Sequence, residues 1–144
     1  MQEEKCQCPK EYPLVLQYHL VEEVLVCSHC NLDKEFGELP PSIKMEIANW
    51  TKSYRKAFKK WLVGPDRLDE LSNPQSSLNQ KGLAIAAKLN TMLPTYYWWH
   101  VNEDEYFDAC PNCGKGFQTV LNGYAEHHKV CQQCRILVND TTLP

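Results

Sequence analysis

Apolar positions recur with two different periods along the chain, and each period predicts an element type. Ile43, Ile47, Trp50, Tyr54, Ala57, Phe58 and Trp61 follow i, i+3, i+4, i+7 spacing. At about 100° per residue they share one face of a helix. Pro40 and Pro41 precede it, Ser42 is the candidate N-cap, and Gly64–Pro65 should stop it. A second helix is expected in "NPQSSLNQKGLAIAAKLNTML", capped by Ser76 or Ser77 and ended by Pro94. Leu78, Ile85, Leu89 and Met92 supply its apolar face, and Ala84, Ala86 and Ala87 allow close packing. Gly82 lowers helix propensity, and its bare backbone would let a neighbour approach closely.

The period then falls to two. In "PTYYWWHV", alternation puts Tyr96, Trp98 and His100 on one face of a strand and Tyr97, Trp99 and Val101 on the other. Aromatics on both faces mark a largely buried strand, with a base-stacking platform as the competing role. Shorter strands are expected in "YPLVLQYHL" and "VEEVLVCSHC" near the start. Near the end, Lys129–Val130 and Ile136–Val138 flank a cysteine pair. The stretch "FQTVLNGYAEHH" fits two strands joined at Asn122–Gly123, a hairpin turn signal.

Those terminal strands gain meaning from the cysteines. Cys8 and Cys27 enclose 18 residues, and Cys113 and Cys131 enclose 17. Each end of the chain therefore holds a cysteine pair, a hairpin-length span and a second pair. A zinc ribbon has this layout: two tight knuckles each supply two thiolates, and a hairpin brings them around one tetrahedral ion. At the C-terminal end the ligands read as Cys110, Cys113, Cys131 and Cys134. Pro111 suits the start of the turn and Gly114 the positive φ that follows it. Four cysteines at this spacing disfavour a redox pair or four buried free thiols.

The N-terminal ligands read as Cys6, Cys8, Cys27 and Cys30, with Asn31 in the place of Gly114. Here the first pair has only Gln7 between its cysteines. If Cys6 does not bind, His19 or His29 would complete the set; a metal-free hairpin is the competing reading. Two zinc ions are thus expected as cofactors. With every position filled by thiolate, both sites read as structural.

Composition agrees with that chemistry. The chain has 144 residues, 43% of them apolar. That suits one ordinary domain or two very small units. No apolar run reaches the roughly 18 residues of a membrane span, and "MQEEKCQC" has no apolar segment typical of a secretory leader. A cytoplasmic location without membrane contact is expected, where thiols stay reduced and eight cysteines favour metal over disulfides.

Charge is unevenly spread. The net charge is −3, yet residues 44–67 carry seven Lys/Arg against two Asp/Glu, or +5. Residues 1–43 carry three against eight, or −5. Lys52, Arg55, Lys56, Lys59 and Lys60 fall opposite the apolar stripe of the first helix. They read either as its solvated side or as a phosphate-facing surface. The acidic run "NEDEYFD" would repel phosphates beside the C-terminal unit.

No set of residues converges as an acid, base or nucleophile. His127 and His128 are adjacent in a predicted strand and point to opposite faces. His19, His29 and His100 stand apart. A non-enzymatic protein is expected.

The stretch from Ser72 to Val101, "CPNCGKGF", "CQQCRILVND", "VCSHCNLDKEFGELP" and "IANWTKSYRKAF" together resemble a bacterial family of uncharacterised Zn-ribbon-containing proteins, for which nucleic-acid binding is the candidate role. The resemblance covers roughly residues 12–139. It implies that Cys27/Cys30, Cys110/Cys113 and Cys131/Cys134 bind metal. Typical members are longer at the N-terminus, so it implies a short form. Trp98–Trp99–His100 replaces their tyrosine-rich run, so base stacking does not carry over.

The expected fold is α+β: two zinc-ribbon β-hairpin units joined by two helices and an aromatic strand. The boundaries are 1–39 for the N-terminal ribbon, 40–94 for the helices and 95–144 for the strand with the C-terminal ribbon, all in one compact domain. The expected function is non-enzymatic zinc binding with DNA or RNA contact through residues 44–67. The alternative is a protein-binding adaptor or inhibitor of the antitoxin or immunity type.

Overall fold

A computed structural model of the chain describes residues 6–8, 12–18, 25–27, 38–63, 70–100, 109–119 and 128–139. The chain is mixed α and β. Two short strands, β1 (Leu14–Leu16) and β2 (Leu25–Cys27), precede helices α1 (Pro41–Val63) and α2 (Ser77–Leu89). Strands β3 (Thr95–Trp99), β4 (Gln118–Thr119), β5 (His128–Cys131) and β6 (Ile136–Asn139) follow.

The strands form one sheet in the order β2-β1-β3-β6-β5-β4. β3 is parallel to both β1 and β6, and the other pairs are antiparallel. A parallel pair needs a long crossover, and the two helices supply it between β1 and β3. This refines the sequence expectation. The aromatic strand is not a connector beside the C-terminal hairpin but the centre of the sheet, inserted between the two hairpins.

Alternation sorts Tyr96 and Trp98 from Tyr97 and Trp99 as read from "PTYYWWHV", whereas His100, beyond the end of β3, packs against Trp61 of α1 instead of lying only on the Tyr96 and Trp98 face. Leu16, Leu25, Tyr97, Trp99, Ile136 and Val138 pack with the buried face of the helices. Val15, Val26, Tyr96, Val130 and Leu137 form a second cluster on the opposite face, with Trp98 against it. Val101 lies outside the described residues.

Helix α1 buries Ile43, Ile47, Trp50, Tyr54 and Ala57, the stripe read from the sequence, while Phe58 and Trp61 are half-buried at its flank. Burial of each large apolar side chain contributes about 1.5–3 kcal/mol. The helix starts two residues earlier than a Ser42 cap implies. The Pro40 carbonyl accepts from the Ile43 and Lys44 amides, so Pro41, not Ser42, opens the helix. Proline fits there because its missing N–H would have no intrahelical partner. Gly64 and Pro65 lie outside the described residues.

Helix α2 is capped by Ser76, whose Oγ accepts from the Asn79 amide at 3.2 Å. Its end differs from expectation. It stops at Leu89, and Met92 is exposed beyond it instead of extending the apolar face. Asn90 ends it: the amide Nδ2 donates to the Ala86 and Thr95 carbonyls, and Oδ1 accepts from Thr95 N at 2.7 Å. The same side chain thus closes the helix and starts β3.

Gly82 has the close neighbour that its place in a helix implied. A Cβ there would lie 2.8 Å from Tyr97 Oη, with ring carbons nearer still. That hydroxyl donates to Asn79 Oδ1 at 2.7 Å. Asn79 is itself buried, and its Nδ2 donates to the carbonyls of Glu70, Leu71 and Asn73. Glycine, asparagine and tyrosine together set the distance between α2 and the central strand.

Candidate metal centres

At the C-terminal end the hairpin folds Cys110, Cys113, Cys131 and Cys134 together, with all four Sγ atoms within 4.8 Å of one another. The Cys113 and Cys131 sulfurs are 3.7 Å apart, too far for a disulfide. Cys110 and Cys131 are buried, Cys134 is half-buried and Cys113 is exposed.

The two knuckles close with the same backbone bond and differ in which amide meets the first sulfur. The Gly114 amide donates to Cys110 O at 2.9 Å, and the Arg135 amide donates to Cys131 O at 2.8 Å. Within the loops, Asn112 N donates to Cys110 Sγ and Cys134 N to Cys131 Sγ, each at 3.4 Å. Each knuckle ends in a left-handed residue, Gly114 at φ 81° and Arg135 at φ 59°. Sequence reading found the glycine and missed the arginine, although both directly follow a second cysteine. For a non-glycine residue that conformation costs roughly 1–2 kcal/mol. The Arg135 carbonyl accepts from Tyr97 N at 2.7 Å, and its guanidinium lies over the Tyr96 ring at 5.5 Å. The second knuckle is therefore anchored to β3.

Burial pushes the Cys110 thiol up to about 12, and burial also raises Cys134. The Lys115 backbone N–H stabilises the thiolate of Cys113 and brings it down to about 7. Buried thiols of this kind give up their protons when a cation is present to replace them.

The N-terminal strands assemble a second cluster. The sulfurs of Cys6, Cys8 and Cys27 all lie within 4.8 Å of one another. Cys6 and Cys8 are half-buried and Cys27 is buried on β2. The Cys8 amide donates to Cys6 Sγ at 3.3 Å, which folds the one-residue loop tightly enough to converge both sulfurs. The short spacing thus does not separate Cys6 from the group. Cys30, His19 and His29 lie outside the described residues. Both clusters can hold a metal ion.

Register places them relative to each other. Cys27 is opposite Leu14, which aligns with Thr95; Cys131 is opposite Ile136, which aligns with Tyr97. Both clusters therefore sit toward one end of the sheet. Cys27 and Cys131 lie four strand spacings apart, roughly 19 Å laterally.

Lys52, Arg55, Lys56, Lys59 and Lys60 are all exposed on α1, away from its buried stripe. His100 is buried and packs edge-on against the Trp61 ring at 4.9 Å. His127 and the acidic run 102–108 lie outside the described residues. No described helix is long and apolar enough to cross a membrane. Comparison with protein-family models, with curated proteins and with solved structures gives no match.

Proposed function

We propose that the chain is a non-enzymatic zinc protein in which each cysteine cluster holds one structural ion and the exposed face of α1 contacts nucleic acid. One observation carries the metal assignment. The Cys113–Cys131 separation of 3.7 Å matches the edge of a thiolate tetrahedron. With zinc–sulfur bonds near 2.3 Å, that edge is about 3.8 Å. Four cysteine sulfurs complete the C-terminal centre, which leaves no ligand position for a reacting water. The thiolate donor set suits zinc over the hard cations that prefer oxygen.

The nucleic-acid part rests on the five exposed cations of α1 and the +5 charge of residues 44–67. Fluorescence anisotropy with single- and double-stranded DNA and RNA at low salt tests it. Binding should weaken steeply with salt. Charge reversal at Lys56 and Lys59 should lower the log–log salt slope by about two. Absence of salt-sensitive binding to any of these nucleic acids removes the role. The net charge of −3 then favours the second reading, a protein-binding adaptor or inhibitor, for which pull-down should recover one stoichiometric partner.

A further inference from the structure

We infer that Asn112 is a positioning residue of the C-terminal metal centre, its side-chain amide donating across the gap between the knuckles to Cys134 Sγ. This rests on the reading that the four cysteines bind metal. Asn112 serves sulfur twice. Its backbone N–H donates to Cys110 Sγ within its own knuckle at 3.4 Å. Its Nδ2 donates to Cys134 Sγ of the opposite knuckle, also at 3.4 Å.

The corresponding position of the second knuckle, Gln133, touches no described sulfur through its side chain; its Oε1 accepts from Lys115 Nζ at 2.6 Å. Both knuckles are thus tied by side chains that cross between them, but only Asn112 acts on a ligand atom. Four thiolates around a divalent cation leave a net charge of −2. An N–H aimed at one sulfur disperses that charge and holds the sulfur in place. The orientation of the amide follows from this chemistry, since a thiolate accepts and cannot donate. Asn112 is exposed, so truncating it opens no cavity in the core.

The test uses the full chain loaded with cobalt(II). Three variants are compared with the unsubstituted protein: Asn112→Ala, which keeps the backbone donor, Asn112→Asp, which replaces the amide with an anion, and Gln133→Ala. Affinity is read by competition with a chromophoric chelator, and the sulfur-to-cobalt charge-transfer band by difference spectrum. All four proteins share the N-terminal cluster, so differences report the C-terminal one. Asn112→Ala should weaken binding by about 10-fold and Asn112→Asp by up to about 100-fold, the range for lost outer-shell partners. Both should shift the band to lower energy, because the Cys134 lone pairs lose their donor. Gln133→Ala should leave the band in place. An unshifted band with affinity within about twofold in Asn112→Ala overturns the inference. So does an equal shift in Gln133→Ala, which would indicate general loosening of the knuckles. Failure of the unsubstituted protein to bind cobalt or zinc overturns the metal reading itself, a separate result.

Discussion

Gly82→Ala should destabilise the protein, although alanine is the better helix former. On an exposed helix the change would stabilise by about 1 kcal/mol. Here the new Cβ would sit 2.8 Å from Tyr97 Oη and closer to two ring carbons, inside any normal contact distance. Tyr97 is fully buried and has nowhere to retreat: Trp50 and Trp99 pack against it with centroids at 5.9 and 6.0 Å. Overpacking of this kind costs about 1–3 kcal/mol or more. Displacing the ring also breaks its hydrogen bond to Asn79, and a buried polar group left without a partner costs about 1–3 kcal/mol. After the gain in propensity, a net loss of about 2–4 kcal/mol is expected. For a chain of this size that lowers Tm by roughly 5–15 °C. Urea unfolding of the metal-loaded protein, followed by circular dichroism, measures it. A cycle with Tyr97→Ala isolates the cause: in that background Gly82→Ala should be far less harmful, or stabilising. A neutral or stabilising Gly82→Ala in the otherwise unchanged protein would refute the close contact between α2 and β3.

Three further outcomes follow from local geometry. Ser76→Ala removes the α2 cap and the hydroxyl bond to the Glu70 carbonyl, so it should lower stability by about 1–2 kcal/mol in the same urea assay. Alkali should unfold the protein. Burial raises the Tyr54 and Tyr97 phenols above the ordinary value near 10, so the folded state keeps protons that the unfolded chain releases. Stability is then intact below about pH 10 and falls as pH rises beyond it, and the phenolate absorbance of the last two of the seven tyrosines should appear only with loss of structure. Ionisation of all seven tyrosines in a still-folded protein would contradict that burial. Finally, acid should release the bound metal, because the raised Cys110 and Cys134 thiols compete for protons; chelator-detected release that does not increase as pH falls would contradict thiolate ligation.

The elements legible in the sequence were those set by local pattern. The α1 stripe, the two-faced aromatic strand and the paired cysteines of the C-terminal cluster each follow from local spacing. Pairing of β1 with β3 does not, because Val15 and Tyr96 are brought together across two helices and neither strand alone encodes its partner. Asn79 was equally hidden. A polar residue beside Leu78 reads as solvated, yet it is a buried hub because α2 turns that side toward Tyr97. At the N-terminal cluster, counting residues made Cys6 the doubtful ligand. The loop amide of Cys8 bonding Cys6 Sγ shows why one intervening residue suffices to bring the sulfurs together.

Elemental analysis of the purified full chain for zinc tests the central claim most directly. With one ion in the cluster of Cys110, Cys113, Cys131 and Cys134 and one in the cluster of Cys6, Cys8 and Cys27, the expected stoichiometry is two zinc ions per chain. A single ion would contradict the N-terminal assignment. A chain that folds with none would contradict the account as a whole.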